Sequence, residues 1–102
     1  MQEGRDDLAE ADLGNVRPIR ADRVFAQQTD ETVLILDPES GEYFALEESA
    51  AFIWQLCDGL RPVSSIIAAL HSEFEVDVPT ARADTVALLD DLRRSRLIEL
   101  PE

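Results

Sequence analysis

The hydrophobic period of this chain changes once, from two residues to about 3.6, and the change falls near Leu46. Before it, apolar residues come in short runs. Val24 to Thr29 alternates imperfectly, Asp30-Glu31 makes a polar break, and Thr32-Val33-Leu34-Ile35-Leu36 is a β-branched-rich run suited to a central strand. Asp37-Pro38-Glu39-Ser40-Gly41 reads as a turn, because Pro38 presets its own φ and Gly41 tolerates a positive one. Glu42-Tyr43-Phe44-Ala45-Leu46 then forms a third strand, with Phe44 and Leu46 on one face and Tyr43 and Ala45 on the other. The expected product is a three-stranded antiparallel meander whose first and third strands are its edges.

After Leu46 the pattern is helical. Ala50, Ile53, Trp54 and Cys57 share one stripe, with Glu47 and Glu48 expected in the first turn and Asp58-Gly59 ending the helix. Val63, Ile66, Ile67, Leu70 and Phe74 mark a second helix opened by Pro62. A third is expected from about Pro79 to Ser95 on Val86, Leu89 and Leu92, with an apolar exit at Leu97-Ile98. Strands followed by helices cannot build a parallel βαβ layer, so the fold class is α+β. Three helices lie on one face of a three-stranded antiparallel sheet, in a winged helix-turn-helix-like arrangement. Residues 17–102 are expected to be this single domain, and residues 1–16, rich in Asp and Glu, a disordered acidic tail.

A helix-turn-helix unit makes DNA binding the first function to test, and charge decides against it. The 102 residues carry a net charge of -13, with 22 acidic residues against nine basic ones, a field that repels phosphate and anionic membrane and attracts cations. The third helix carries Asp84, Asp90 and Asp91, relieved by Arg82, Arg93 and Arg94, and the second has no basic residue other than His71 between Val63 and Val76. Nucleic acid and membrane are therefore not expected partners.

Catalysis finds little support either. His71 is the single histidine and has no cysteine or second histidine to share a metal, so no metal site and no cofactor are expected. Cys57 is alone, which excludes an internal disulfide, and it lies on an apolar stripe without nearby positive charge, where a thiol is inert. With no secretory signal pattern, it points to a reducing cytoplasmic setting. No Gly-rich phosphate loop or nucleophile elbow is present, and no catalytic residue is assigned.

An edge strand beside a helix offers a different use. At about 100° per residue, Thr85, Leu89, Leu92 and Arg96 share one face of the third helix. Ala81, Asp84, Leu88, Asp91 and Ser95 form a neighbouring stripe. Leu88 reads either as the margin of a wide buried face or as the floor of a groove. The strand Tyr43-Phe44-Ala45-Leu46, guarded only by Glu42, is open to strand addition by a peptide.

Several motifs in order carry a resemblance. They are the strand at Thr32 to Asp37, Gly41-Glu42-Tyr43-Phe44-Ala45-Leu46, Ser49-Ala50-Ala51-Phe52-Ile53-Trp54, Leu56-Cys57-Asp58-Gly59, Val63-Ser64-Ser65-Ile66-Ile67, and Leu88-Leu89-Asp90-Asp91-Leu92 with Leu97-Ile98. Over about Pro18 to Leu100 the chain resembles the PqqD-like family, the recognition elements of ribosomally synthesised peptide pathways. The Tyr-Phe strand and the Trp54 helix look most like the stand-alone recognition proteins of lasso-peptide and radical-enzyme pathways. The resemblance implies a non-catalytic adaptor that binds a precursor leader peptide by β-strand addition and delivers it to a leader peptidase, cyclase or radical-SAM enzyme. It implies that Glu42, Tyr43, Phe44, Ala45 and Leu46 supply the ladder, Ala81 and Leu88 an apolar floor, and Asp84 and Asp91 acidic contacts to basic leader residues, with Ser95 on the same stripe. Two positions depart from the family pattern: Glu47 stands where Asn is usual, and Arg96 where Gly is usual. A winged-helix transcriptional regulator and a structural subunit of an enzyme complex are the competing readings.

Overall fold

The structure, a computed structural model, describes residues 14–101. Its elements run β1 (Ile19–Arg20), β2 (Phe25–Gln28), β3 (Thr32–Asp37), β4 (Glu42–Glu47), α1 (Ser49–Leu56), α2 (Val63–Phe74), α3 (Val78–Arg94) and β5 (Ile98–Glu99). The antiparallel sheet has the order β2-β3-β4, and three helices follow it, as the change of period requires. Val33 and Ile35 project from the central strand onto the helices. There they join Ile53, Trp54, Val63, Ile66, Leu70, Leu89 and Leu92 in one core.

The apolar exit at Leu97-Ile98 has a partner that its own residues do not announce. Ile98–Glu99 pairs antiparallel with Ile19–Arg20 to make a second, two-stranded sheet, with Ile19 opposite Glu99 and Arg20 opposite Ile98. This small sheet ties the start of the folded chain to its end. The packed structure includes residues before Arg17, because Val16 O accepts a bond from the Val63 N–H at 2.8 Å and Val16 packs on the core. The rest of the acidic segment lies outside the described residues.

Four helix boundaries differ from expectation. Glu47 closes β4, and Glu48 is the N-cap of α1 with φ 54, so the first turn of that helix carries no acidic residue. Two backbone bonds fix this corner: the Glu48 N–H donates to Glu31 O at 3.0 Å, and Glu48 O accepts from Phe52 N–H at 3.0 Å. At its other end α1 stops at Leu56 rather than running to Asp58-Gly59, and Arg20 reaches across to its open carbonyls, donating to Trp54 O at 3.0 Å and Gln55 O at 2.8 Å. Gly59 (φ 81) takes the left-handed corner, where a Cβ would stand 3.0 Å from the Ile19 side chain. Pro62 precedes α2 as its N-cap rather than opening its first turn. α3 begins at Val78, one residue before the expected Pro79, because the Asp77 carboxylate caps it by accepting from the Thr80 N–H at 2.9 Å.

The end of α3 puts Arg96 in a backbone conformation that favours Gly. Arg96 N–H donates to Arg93 O at 2.9 Å and Leu97 N–H to Leu92 O at 2.9 Å, the two bonds of a Schellman motif, which puts Arg96 in left-handed backbone at φ 63. An L-residue with a Cβ is strained there. Arg96→Gly is expected to raise the stability to denaturant by about 0.5–1 kcal/mol, the relief of that strain exceeding glycine's extra unfolded entropy. A urea melt of the two proteins measures it.

Candidate functional site

The open border of the sheet is defined by its hydrogen-bond alternation. The β3–β4 register pairs Val33 with Leu46, Leu34 with Ala45, Ile35 with Phe44 and Leu36 with Tyr43. The bond from Glu48 N–H to Glu31 O marks residues 31 and 48 as a bonded pair at the end of this register, and bonded pairs alternate in an antiparallel ladder. Glu42, Phe44 and Leu46 therefore turn their main-chain groups toward β3. The bond from Thr29 N–H to Thr32 O at 2.9 Å gives the same phase from the other side, since it turns Thr32, Leu34 and Leu36 toward β2. Tyr43, Ala45 and Glu47 are left to present their N–H and C=O groups outward. Among the described residues β4 pairs with β3 alone, so these groups are free to receive another strand.

The side chains of β4 divide in the opposite sense. Phe44 and Leu46 are half-buried against the core, while Tyr43 and Ala45 are exposed on the outer face of the sheet. On α3, Asp84 and Asp91 are exposed and Leu88 and Ser95 half-buried, so these four form an accessible stripe along the helix margin. Ala81 does not belong to it. It is fully buried, because it stacks one turn before Thr85 on the stripe that also holds Leu89 and Leu92, and it corrects the expectation that it floors a groove. Leu88 is the large aliphatic residue that remains available.

The two walls are held by different neighbours. β4 rests on β3 and α1, α3 rests on α2 and β5, and the strand and the helix make little direct contact with each other. A clasp links the end of the central strand β3 to the end of α3. Arg23 Nη1 donates to Asp37 Oδ1 at 2.7 Å while its Nη2 donates to the Arg96 carbonyl at 2.9 Å. Arg23 joins the two without belonging to either helix or sheet, and no local pattern in the sequence marks it.

This clasp has a pH signature. The hydrogen bond from Arg23 holds the Asp37 carboxyl below its ordinary value, and backbone N–H donors at Glu39 and Ser40 act in the same direction. The folded group titrates lower than the unfolded one, so its contribution is complete above the ordinary carboxylate range and is lost as pH falls through the lowered folded value. Asp77 is lowered in the same sense by its bonds to Thr80, and Asp58 by the Leu60 N–H and Arg61. The urea midpoint is expected to fall as pH drops below about 4, and Asp37→Asn to remove part of that fall. A midpoint series on both proteins at several pH values tests the sign.

The remaining chemistry-bearing residues are quiet. Cys57 is buried, its thiol donating to Ile53 O at 3.3 Å, and burial pushes its pKa up to about 12, so it remains a protonated core residue. His71 is exposed, with Nδ1 against the Val76 carbonyl. Among the described residues no cluster of three or more His, Cys, Asp or Glu is placed to hold a metal ion, and no helix is long and apolar enough to cross a membrane.

These features define a small α+β domain of winged-helix character with an open edge strand and an acidic helix stripe nearby. The chain belongs to the PqqD family: the family described as coenzyme PQQ synthesis protein D matches residues 32–98. It is 40% identical over 78 residues to a PqqA binding protein of Rhodopseudomonas palustris strain TIE-1, covering 74% of each chain. A PqqA binding protein from strain BisB5 is 40% identical over 65 residues, 64% of this chain and 62% of that one. Among solved structures, TbiB1 in complex with the TbiA(beta) leader peptide superposes with a TM-score of 0.73 at 30% identity, over 79% of this chain and 94% of that one. A lasso peptide synthetase B1 complexed with the leader peptide gives 0.71 at 30% identity, over 83% and 99%.

Proposed function

We propose that this protein binds the leader segment of a ribosomally synthesised precursor peptide as a strand added to β4, and presents it to a modifying enzyme or leader peptidase without catalysing a reaction itself. The observation that carries the reading is the outward-facing row of main-chain groups on Tyr43, Ala45 and Glu47, in a domain whose fold matches two proteins solved with leader peptides. Strand addition supplies affinity through these groups whatever the guest's sequence, and alternate guest side chains meet pockets that select among sequences. The half-buried Phe44, Leu46 and Leu88 suit apolar guest residues. Asp84 and Asp91, exposed on α3, suit basic ones, and the charge of -13 speeds capture of a cationic leader.

A transcriptional role is not favoured. The basic residues exposed on α3, Arg82, Arg93 and Arg94, are matched by Asp84, Asp90 and Asp91, and the net charge of -13 leaves no surplus to neutralise phosphate. Titration of the intact protein into a fluorescently labelled precursor leader peptide, followed by anisotropy, tests the proposal. Saturable binding that weakens with salt is expected, and Asp84→Asn with Asp91→Asn is expected to lower affinity by about three- to tenfold, mainly through the association rate. A leader that fails to bind at low salt removes the reading.

A further inference from the structure

A cleft of about 400 Å³ opens just past the end of β4. Its apolar part is built from Ala51 and Phe52 of α1 and Phe74 of α2, and the two rings meet edge to face, with centroids 5.4 Å apart and planes at 73°. Phe74 is the last residue of α2 and stays 37% exposed, so its ring is reachable from solvent. Four exposed carboxylates line the same cleft: Asp30 and Glu31 between β2 and β3, Glu48 after β4, and Glu73 near the end of α2.

No cation among the described residues answers them. Between Val24 and Ala81 the only Arg or Lys is Arg61, which is bonded to Asp58 at 3.1 Å, and His71 turns Nδ1 to the Val76 carbonyl. The arginines in ion pairs meet Asp37, Glu39, Asp58 and Asp90. Glu48 makes no side-chain capping bond to α1, and Glu73 adds its charge to the negative end of the α2 dipole. An apolar floor among carboxylates is complementary to a cation on an aliphatic stem. The methylenes of Lys or Arg cover ring surface while the charged head stays among the oxygens.

We infer that this cleft receives a Lys or Arg side chain from the stretch of leader that runs past β4. The inference rests on the leader-binding reading and extends it beyond the added strand. The outward row of main-chain groups ends at Glu47, and Glu48, the next residue, is already on the cleft wall. Antiparallel addition is the more stable pairing per residue, and it leaves the guest's N-terminal flank at this end. A neutral or acidic flank gains nothing there, so the cleft discriminates among leaders that offer β4 the same strand.

The test uses the intact protein and two labelled forms of the precursor leader. One is the natural peptide, and the other has Gln in place of every Lys and Arg before the paired stretch, which amide exchange locates. The double variant Glu48→Gln with Glu73→Gln keeps side-chain size and leaves the β4 ladder and the α3 stripe untouched. Its affinity for the natural peptide at low salt is expected to fall about three- to tenfold, and for the neutral-flank peptide to stay within about twofold of wild type. Unchanged affinity for a natural leader that the wild type binds overturns the inference and leaves strand addition standing. Equal losses with both peptides also overturn it, because the carboxylates then act only through the general field, as does a natural leader with no Lys or Arg in that flank. A variant that binds both peptides normally but loses affinity for the peptide-modifying enzyme gives the cleft to that partner instead. A wild-type protein that binds neither peptide removes the proposed function, and this inference with it.

Discussion

Ala45→Pro is expected to leave the protein folded and to weaken leader binding by about tenfold to a hundredfold. The two halves of that expectation come from the same alternation. Ala45 faces Leu34 as a non-bonded pair, so its N–H points away from β3 and the substitution removes no bond of the existing ladder. A proline N–H missing from an open edge costs the folded protein little, apart from the shift of φ from strand values toward about -65°. The guest pays instead: its carbonyl loses a donor and is desolvated without replacement, worth about 1–3 kcal/mol, and the ring occupies the space where the guest backbone must approach. Each 1.4 kcal/mol is about tenfold in affinity. Circular dichroism and a urea melt establish that the variant folds, and anisotropy with labelled leader reads the affinity. Retained affinity in a folded variant would place the guest somewhere other than β4.

Leu88→Arg addresses the opposite wall. Leu88 is half-buried between the acidic side chains Asp84 and Asp91 on the α3 stripe, so it is the apolar surface a guest residue can still cover. Replacing it removes about 1 kcal/mol of apolar contact with the guest and sets a cation between the two carboxylates that attract a basic leader. The combined loss is expected to reach about tenfold or more. Leu88→Met, which keeps the volume and the apolar character, is expected to stay within about threefold of wild type. If both variants fold and bind alike, α3 takes no part in the site.

Much of this arrangement was legible before any coordinates. The order of strands and helices follows from the hydrophobic period, and β3 in particular is marked by its run of β-branched residues with Val33 and Ile35 buried. The same alternation put Phe44 and Leu46 on one face of β4 and Tyr43 and Ala45 on the other, and the structure makes the first of these the inner face. What escaped was contact between distant segments. Ala81 and Leu88 belong to adjoining stripes of one helix, and a helical projection cannot say which stripe the core absorbs; the packed fold buries Ala81 fully and leaves Leu88 half-buried. The β1–β5 pairing joins two-residue strands about eighty positions apart, too short for any periodicity to show. Glu48 and Arg96 adopt left-handed backbone because neighbouring elements impose it, against the preference of their own side chains.

The amino-acid sequence alone therefore determined the element order, the acidic field and the apolar faces of each strand and helix, since these depend on near neighbours along the chain and on simple sums of charge. Only the tertiary structure decided which strand edge stays unpaired, which residues of α3 stay reachable, and how Arg23 joins Asp37 to the Arg96 carbonyl. Those properties depend on which distant surfaces meet, and an open edge is defined by the segments that do not come to cover it.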